Sequence, residues 1–335
     1  MSRLPDVYWE TLLKIWLQKV SNFPTVLQKR VLGLVRPLYY EIEVWRENHF
    51  ELLHAKVDFE SHFIWTCDGR IDWFRTAKSL IEDENWSTRK RFKLACLHYL
   101  HHYLTPLWNQ LSEPQRRSLY RFCTNSPQLQ FWTQWIKDGA HENAVWFSYD
   151  FIERIIENNY INNVGSLLHV ISMMSSADQE QMLHDIVDNM SICTEVLPLF
   201  FKMNQTVQLA VIEIHALQLL IYCSNWPWQS HFMDIARLSW TYITKKDFVF
   251  LIQYFLYEKI AVEYQDYDYI ELVKEFYSSS PSHFQSKVKK NFIFRPLRRL
   301  FKRKSTTPWS WETFLRRNEI SKLTKIFGEK DNSVY

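Results

Sequence analysis

The chain has 335 residues, 47% apolar and 16% aromatic, with a formal net charge of +3 at pH 7. That is ample material for a core, and it argues against a disordered chain. Only five glycines occur, too few for most sheet-rich folds or glycine-lined phosphate loops, so the composition predicts an all-α protein.

The first residues carry Asp6 and Glu10 and lack a clean apolar block, so no signal peptide is expected. Five scattered cysteines, Cys67, Cys96, Cys123, Cys193 and Cys223, form no Cys-x-x-Cys pair and fit reduced thiols in a cytoplasmic or nuclear protein. Pro24 follows Ser21-Asn22 and opens a helical pattern, "PTVLQKRVLGLV". Downstream, apolar residues recur at spacings of three and four in "IDWFRTAKSLIE", "AVWFSYDFIERIIE" and "DYIELVKEFY". Roughly fourteen to seventeen helices are expected, joined by connections of about 2–8 residues as in helix bundles. The arrangement predicted is a multi-helical array, a degenerate α-solenoid of stacked helix pairs.

An internal echo suggests the pairing. "WTCDG" at Trp65 and "WIKDG" at Trp135 are each followed by a Trp-Phe doublet, at Trp73-Phe74 and Trp146-Phe147. The expectation is a glycine that turns the chain out of one helix, and a Trp-Phe pair that docks the next.

"RFKLACLHYLHHYLTPLW", Arg91 to Trp108, puts His98, His101 and His102 close together. On one continuous helix they share the polar side, with Cys96 pointing away. No acid stands with them to orient the rings, and the nearest charged neighbours on that side are Lys90 and Arg91. A polar stripe on a half-buried helix is therefore expected, not a metal site. Gly69–Ile81 and Arg91–Leu100 together resemble a lineage-expanded family of arachnid helical proteins. The resemblance implies an all-helical chain and no catalytic, cofactor-binding or metal-binding residue.

Further helix starts are predicted at the capping-box sequences Ser112-Glu-Pro-Gln115 and Ser176-Ala-Asp-Gln179, and at Ser126-Pro127 and Thr307-Pro308. Asp138-Gly139 and Gly328 read as helix stops. The doublet His184-Asp185, with His169 upstream and Asp188 or Asp234 downstream, resembles the motif of helical metal-dependent phosphohydrolases. The match is two letters long, and His184 with Asp188 also makes an ordinary i,i+4 pair, so the hydrolase stands as a rival reading. Val207–Cys223 is the most apolar stretch, but Gln208, Glu213, His215 and Gln218 interrupt it. A buried helix is expected there rather than a transmembrane segment. In "EYQDYDYIE", Asp266 or Asp268 is expected to cap the helix that follows. The tryptophans, spread evenly through the helices, are expected in the core.

Lys287 to Lys304 is the strongest functional lead. Nine cations (Lys287, Lys289, Lys290, Arg295, Arg298, Arg299, Lys302, Arg303 and Lys304) occur there with no acid, whereas residues 1–286 carry 26 basic and 33 acidic residues. Val288, Phe292, Phe294, Leu297, Leu300 and Phe301 interleave with the cations, and "LRRLFKRK" would set charge beside apolar anchors. The segment could meet a protein partner, anionic lipid or nucleic acid, act as an import signal, or serve as a solvated linker. The mildly acidic remainder argues against a dedicated nucleic-acid binder. The organisation expected is an all-helical body over 1–280, a basic connector over 281–306 and a short helical end over 307–335. The function expected is non-enzymatic partner binding, with no cofactor and no metal.

Overall fold

The computed structural model describes residues 14–53, 59–122, 127–139, 171, 174–175, 177–182, 197–262, 264–302 and 317–328. Among them every regular element is helical, and the extended pairing present is an isolated bridge between Trp65 and Ile71. The fold is an all-α, multi-helical array. It divides into two compact units, one of residues 40–203 and one of residues 1–39 with 204–335. Helix α1 (Thr25–Leu53) contributes its first part to the latter and its second part to the former.

In the unit of residues 40–203, the order is a 3₁₀ turn (Glu60–His62), α2 (Trp73–Glu82), α3 (Thr88–Leu97), α4 (His101–Gln110), α5 (Glu113–Phe122), α6 (Pro127–Lys137) and the short α7 (Leu197–Phe200). Asp72 starts α2 by accepting from the Arg75 amide at 2.9 Å. Trp73, Ala77, Leu80 and Ile81 then fall on one side and are buried. Gln115 reaches back to the Ser112 amide at 2.8 Å, the predicted half of a capping box. Ser176, where a cap is expected, lies outside the described residues; beside it, Ser175 Oγ accepts from the Asp178 amide. α6 ends at Gly139 in the left-handed region, φ 97°, as its Asp-Gly stop predicts. Gly69 is also left-handed, φ 87°, but it turns the chain within the Trp65–Ile71 bridge and not at a helix end. Trp73 does open and anchor α2, whereas Trp146-Phe147 lies outside the described residues. Trp45, Trp73, Trp86, Trp108, Trp132 and Trp135 are buried, as core residues should be, whereas Trp65 is exposed.

The continuous helix expected across Arg91–Trp108 is instead two helices. α3 closes through Leu100 N–H to Ala95 O (2.9 Å) and Tyr99 N–H to Cys96 O (3.5 Å), the two bonds of a Schellman motif. Its left-handed residue is Tyr99, φ 56°, at a position usually filled by glycine. Tyr99 is buried with its ring edge-on to Trp132, so packing holds a backbone conformation that local preference disfavours. His98, the C-cap of α3, stands one turn beyond buried Leu94 and shares its inward side.

In the unit of residues 1–39 and 204–335, the order after α1 is α8 (Gln205–Cys223), a 3₁₀ turn (Trp228–His231), α9 (Phe232–Ser239), α10 (Lys245–Tyr254), a π-helical turn (Phe255–Ile260), α11 (Tyr269–Ser279), α12 (Ser282–Lys289), α13 (Phe294–Phe301) and α14 (Arg317–Gly328). Asn204 caps α8, Thr244 and Asp247 form a full capping box on α10, and Asp268 caps α11 as predicted. Gly328 closes α14. α8 alone among the described helices is long and apolar enough to cross a membrane by length and composition. It buries Val207, Val211, Ile212, Leu219 and Leu220 in its unit, as a core helix does. Phe232, Phe248, Phe255, Phe276 and Phe284 are fully buried and meet ring to ring, with Phe284 stacked on Phe248 at 5.0 Å.

Candidate functional site

The basic segment read as a connector forms two helices anchored in this aromatic core. α12 packs against α10 and buries Phe284 and Val288. Pro296 sits in the first turn of α13, where a missing N–H costs nothing. Buried Ile293, Pro296, Leu297 and Leu300 line the inner side of α13, while Arg295, Arg298 and Lys302, three and seven apart, share the outer side. The apolar anchors expected beside the cations thus face the core, and Leu297 and Leu300 are unavailable to an outside surface.

The nine predicted cations separate into groups. Lys287, Lys289, Lys290, Arg295, Arg298 and Lys302 are exposed, and no side chain pairs with them among the described residues. Arg299 is half-buried and forms an ion pair with Glu319 of α14, a carboxylate almost wholly out of solvent. Its role is to hold α14 against α13. Arg303 and Lys304 lie outside the described residues. Nearby, Lys322 of α14 lies over the Phe292 ring at 5.2 Å, which adds a further cation to this region.

Two buried polar clusters escaped the sequence reading. In the first, His98 is fully buried instead of lying on a polar stripe. Its Nε2 is 2.7 Å from His49 Nε2, and the rings stack at 5.0 Å with a 6° interplanar angle. His49 Nδ1 lies 2.6 Å from the Trp45 carbonyl, which can only accept. His49 therefore carries its proton on Nδ1, leaving Nε2 bare to accept from His98 Nε2–H. Burial pushes His49 down to about 4, and burial together with the neighbouring His49 holds His98 well below the usual imidazole range. Both rings are neutral, and two nitrogens in hydrogen-bond contact leave no space for a metal between them. His101 and His102 begin α4 on the other side of the break.

In the second cluster, Lys259 projects from the π-helical turn and is buried. Its Nζ donates to Asn225 Oδ1 at 2.6 Å and lies 4.7, 5.5 and 6.0 Å from the rings of Tyr264, Tyr269 and Tyr254. Asp266 Oδ2 accepts from Gln229 (2.7 Å) and from the Tyr269 hydroxyl (3.0 Å). Burial lowers the Lys259 ammonium, whereas Asp266 is raised by burial and partly drawn back by Lys259. Asp266 therefore belongs to this network and leaves helix capping to Asp268. Close backbone approach shapes the same neighbourhood: a Cβ on Gly33 would collide with the Gln265 carbonyl oxygen.

A third grouping has the residue types of a hydrolase. His62 Nδ1 is 3.1 Å from Ser79 Oγ, and His62 Nε2 is 3.2 Å from Asp83 Oδ2. Ser79, however, lies inside α2, where the surrounding amides are engaged by the helix itself and do not converge on Oγ as an oxyanion hole requires. The trio ties the 3₁₀ turn to the end of α2. Of the rival metal site, His169, His184, Asp185 and Asp188 lie outside the described residues, and Asp234 is exposed and paired with Arg237 at 2.9 Å. Among the described residues no group of three or more His, Cys, Asp or Glu side chains could hold a metal ion. No family model and no curated protein matches the chain.

Proposed function

We propose that the chain is a non-enzymatic helical binding module that docks an acidic protein surface through the outer face of α12 and α13. One observation carries this reading: six exposed cations that no side chain among the described residues pairs with stand on helices whose inner sides are fixed in an aromatic core. Charges held in a fixed pattern steer an oppositely charged partner and set its orientation, while a mobile charged tail supplies attraction without orientation. The inward turn of Leu297 and Leu300 favours this over lipid contact by the same segment, which would lack apolar anchors. The excess of acids over residues 1–286 weighs against nucleic acid.

The test is binding of the full chain to poly-glutamate, duplex DNA and phosphatidylserine vesicles at low and high salt. The reading predicts salt-sensitive binding to poly-glutamate. Stronger binding to duplex DNA or to vesicles through these same cations would replace the protein partner with a nucleic acid or a membrane.

A further inference from the structure

Residues 14–19 form a short helical segment that turns at 20–24 into the start of α1. The corner is well tied. Phe23 N–H bonds Val20 O at 2.9 Å, and the Gln28 amide donates to the carbonyls of Ser21 (3.1 Å) and Phe23 (2.8 Å). Val20 turns inward and is buried. Around it, Ile15, Trp16, Leu17, Phe23, Val26 and Leu27 are between 38% and 66% exposed. They are six of the eleven large exposed hydrophobic residues among the described positions, and they fall within thirteen consecutive residues. So local a concentration marks a contact surface rather than ordinary surface scatter.

Two features select what covers it. The first is charge. Lys14, Lys19, Lys29 and Arg30 are exposed around the corner, and no Asp or Glu occurs from Lys14 to Tyr40. The second is direction. Ile15, Trp16 and Leu17 are consecutive, so successive side chains point about 100° apart around the helix. A protein groove covers one stripe of a helix, whereas these residues ask for apolar surroundings on several sides. Hydrocarbon supplies that, and Trp and Phe beside Lys and Arg suit the boundary between headgroups and acyl chains.

We propose that this corner, Ile15 to Leu27, is a membrane-docking element that inserts its apolar side chains into the interfacial region of an anionic bilayer while Lys14, Lys19, Lys29 and Arg30 meet the headgroups. It stands independently of the α12–α13 reading and shares no residue with it.

The test is sedimentation of the full chain with phosphatidylserine–phosphatidylcholine vesicles and with phosphatidylcholine vesicles alone. The triple variant Phe23→Ser/Val26→Ser/Leu27→Ser changes only exposed residues, and thermal melts check that it is folded. Lys14→Glu/Lys19→Glu provides a second route that leaves the apolar corner intact. The expected result is binding to the anionic vesicles that falls about tenfold or more in each variant and persists when Arg295, Arg298 and Lys302 are reversed to Glu. Absence of binding to anionic vesicles, unchanged binding in the apolar variant, or loss only in the α13 reversal would overturn the proposal. So would a concentration-dependent dimer that the apolar variant dissolves, since the corner would then be covered by a second copy.

Discussion

His98 and His49 face one another through their Nε2 atoms at 2.7 Å, joining the end of α3 to α1 in the interior of one unit. The contact works only with both rings uncharged. A proton added to His49 Nε2 would set two N–H donors against each other, and burial penalises the charge in either ring.

Stability should therefore depend on pH in a defined direction. The folded values lie below the unfolded imidazole value, so the unfolded chain binds more protons in this window. The pair's contribution is fully present above about 6.5 and is lost as pH falls from there toward about 4. For His49 alone the loss is roughly 3 kcal/mol. Urea unfolding midpoints at a series of pH values check this. The double variant His49→Phe/His98→Leu should have a markedly shallower slope across that range, and an unchanged slope would assign the acid sensitivity elsewhere.

Gly33→Ala should destabilise the protein even though alanine is the better helix former. A methyl at this position meets the Gln265 carbonyl oxygen, which belongs to backbone and cannot swing aside as a flexible side chain would. The expected cost is about 1–3 kcal/mol, as for other overpacked contacts, against a propensity gain of about 1 kcal/mol or less. A thermal melt shifted upward would show that the two segments separate without penalty.

Glu319→Gln should loosen α14 from α13. It removes the negative charge that faces the half-buried Arg299 guanidinium from α14, at an expected cost of roughly 1–2 kcal/mol after allowance for partial solvation of Arg299. Hydrogen exchange at α14 amides reports the effect: faster exchange confined to α14 supports it, and unchanged protection there contradicts it.

What could be read from the sequence followed the strength of local signals. α2 and α11 were legible because their apolar residues recur at helical spacing and an aspartate caps each start. The break at Tyr99 was not, because no glycine or proline marks it and the left-handed turn is held by burial against distant Trp132. The histidine pair was hidden for a separate reason: His49 lies 49 positions from its partner, in a stretch with no motif of its own. For the basic segment, charge alone suggested a linker. The spacing of Ile293, Leu297 and Leu300 against Arg295, Arg298 and Lys302 held the signal for a packed helix. Arg299 differs from its neighbours through its ion pair with Glu319, a contact no local pattern reveals.

The most direct measurement for the docking account is the affinity of the variant Arg295→Glu/Arg298→Glu/Lys302→Glu for poly-glutamate, beside its melting temperature. All three side chains point outward from α13, so the fold should melt as before. The account predicts about a tenfold or greater loss of binding and a flattened salt dependence. Undiminished, equally salt-sensitive binding in the folded variant would contradict it.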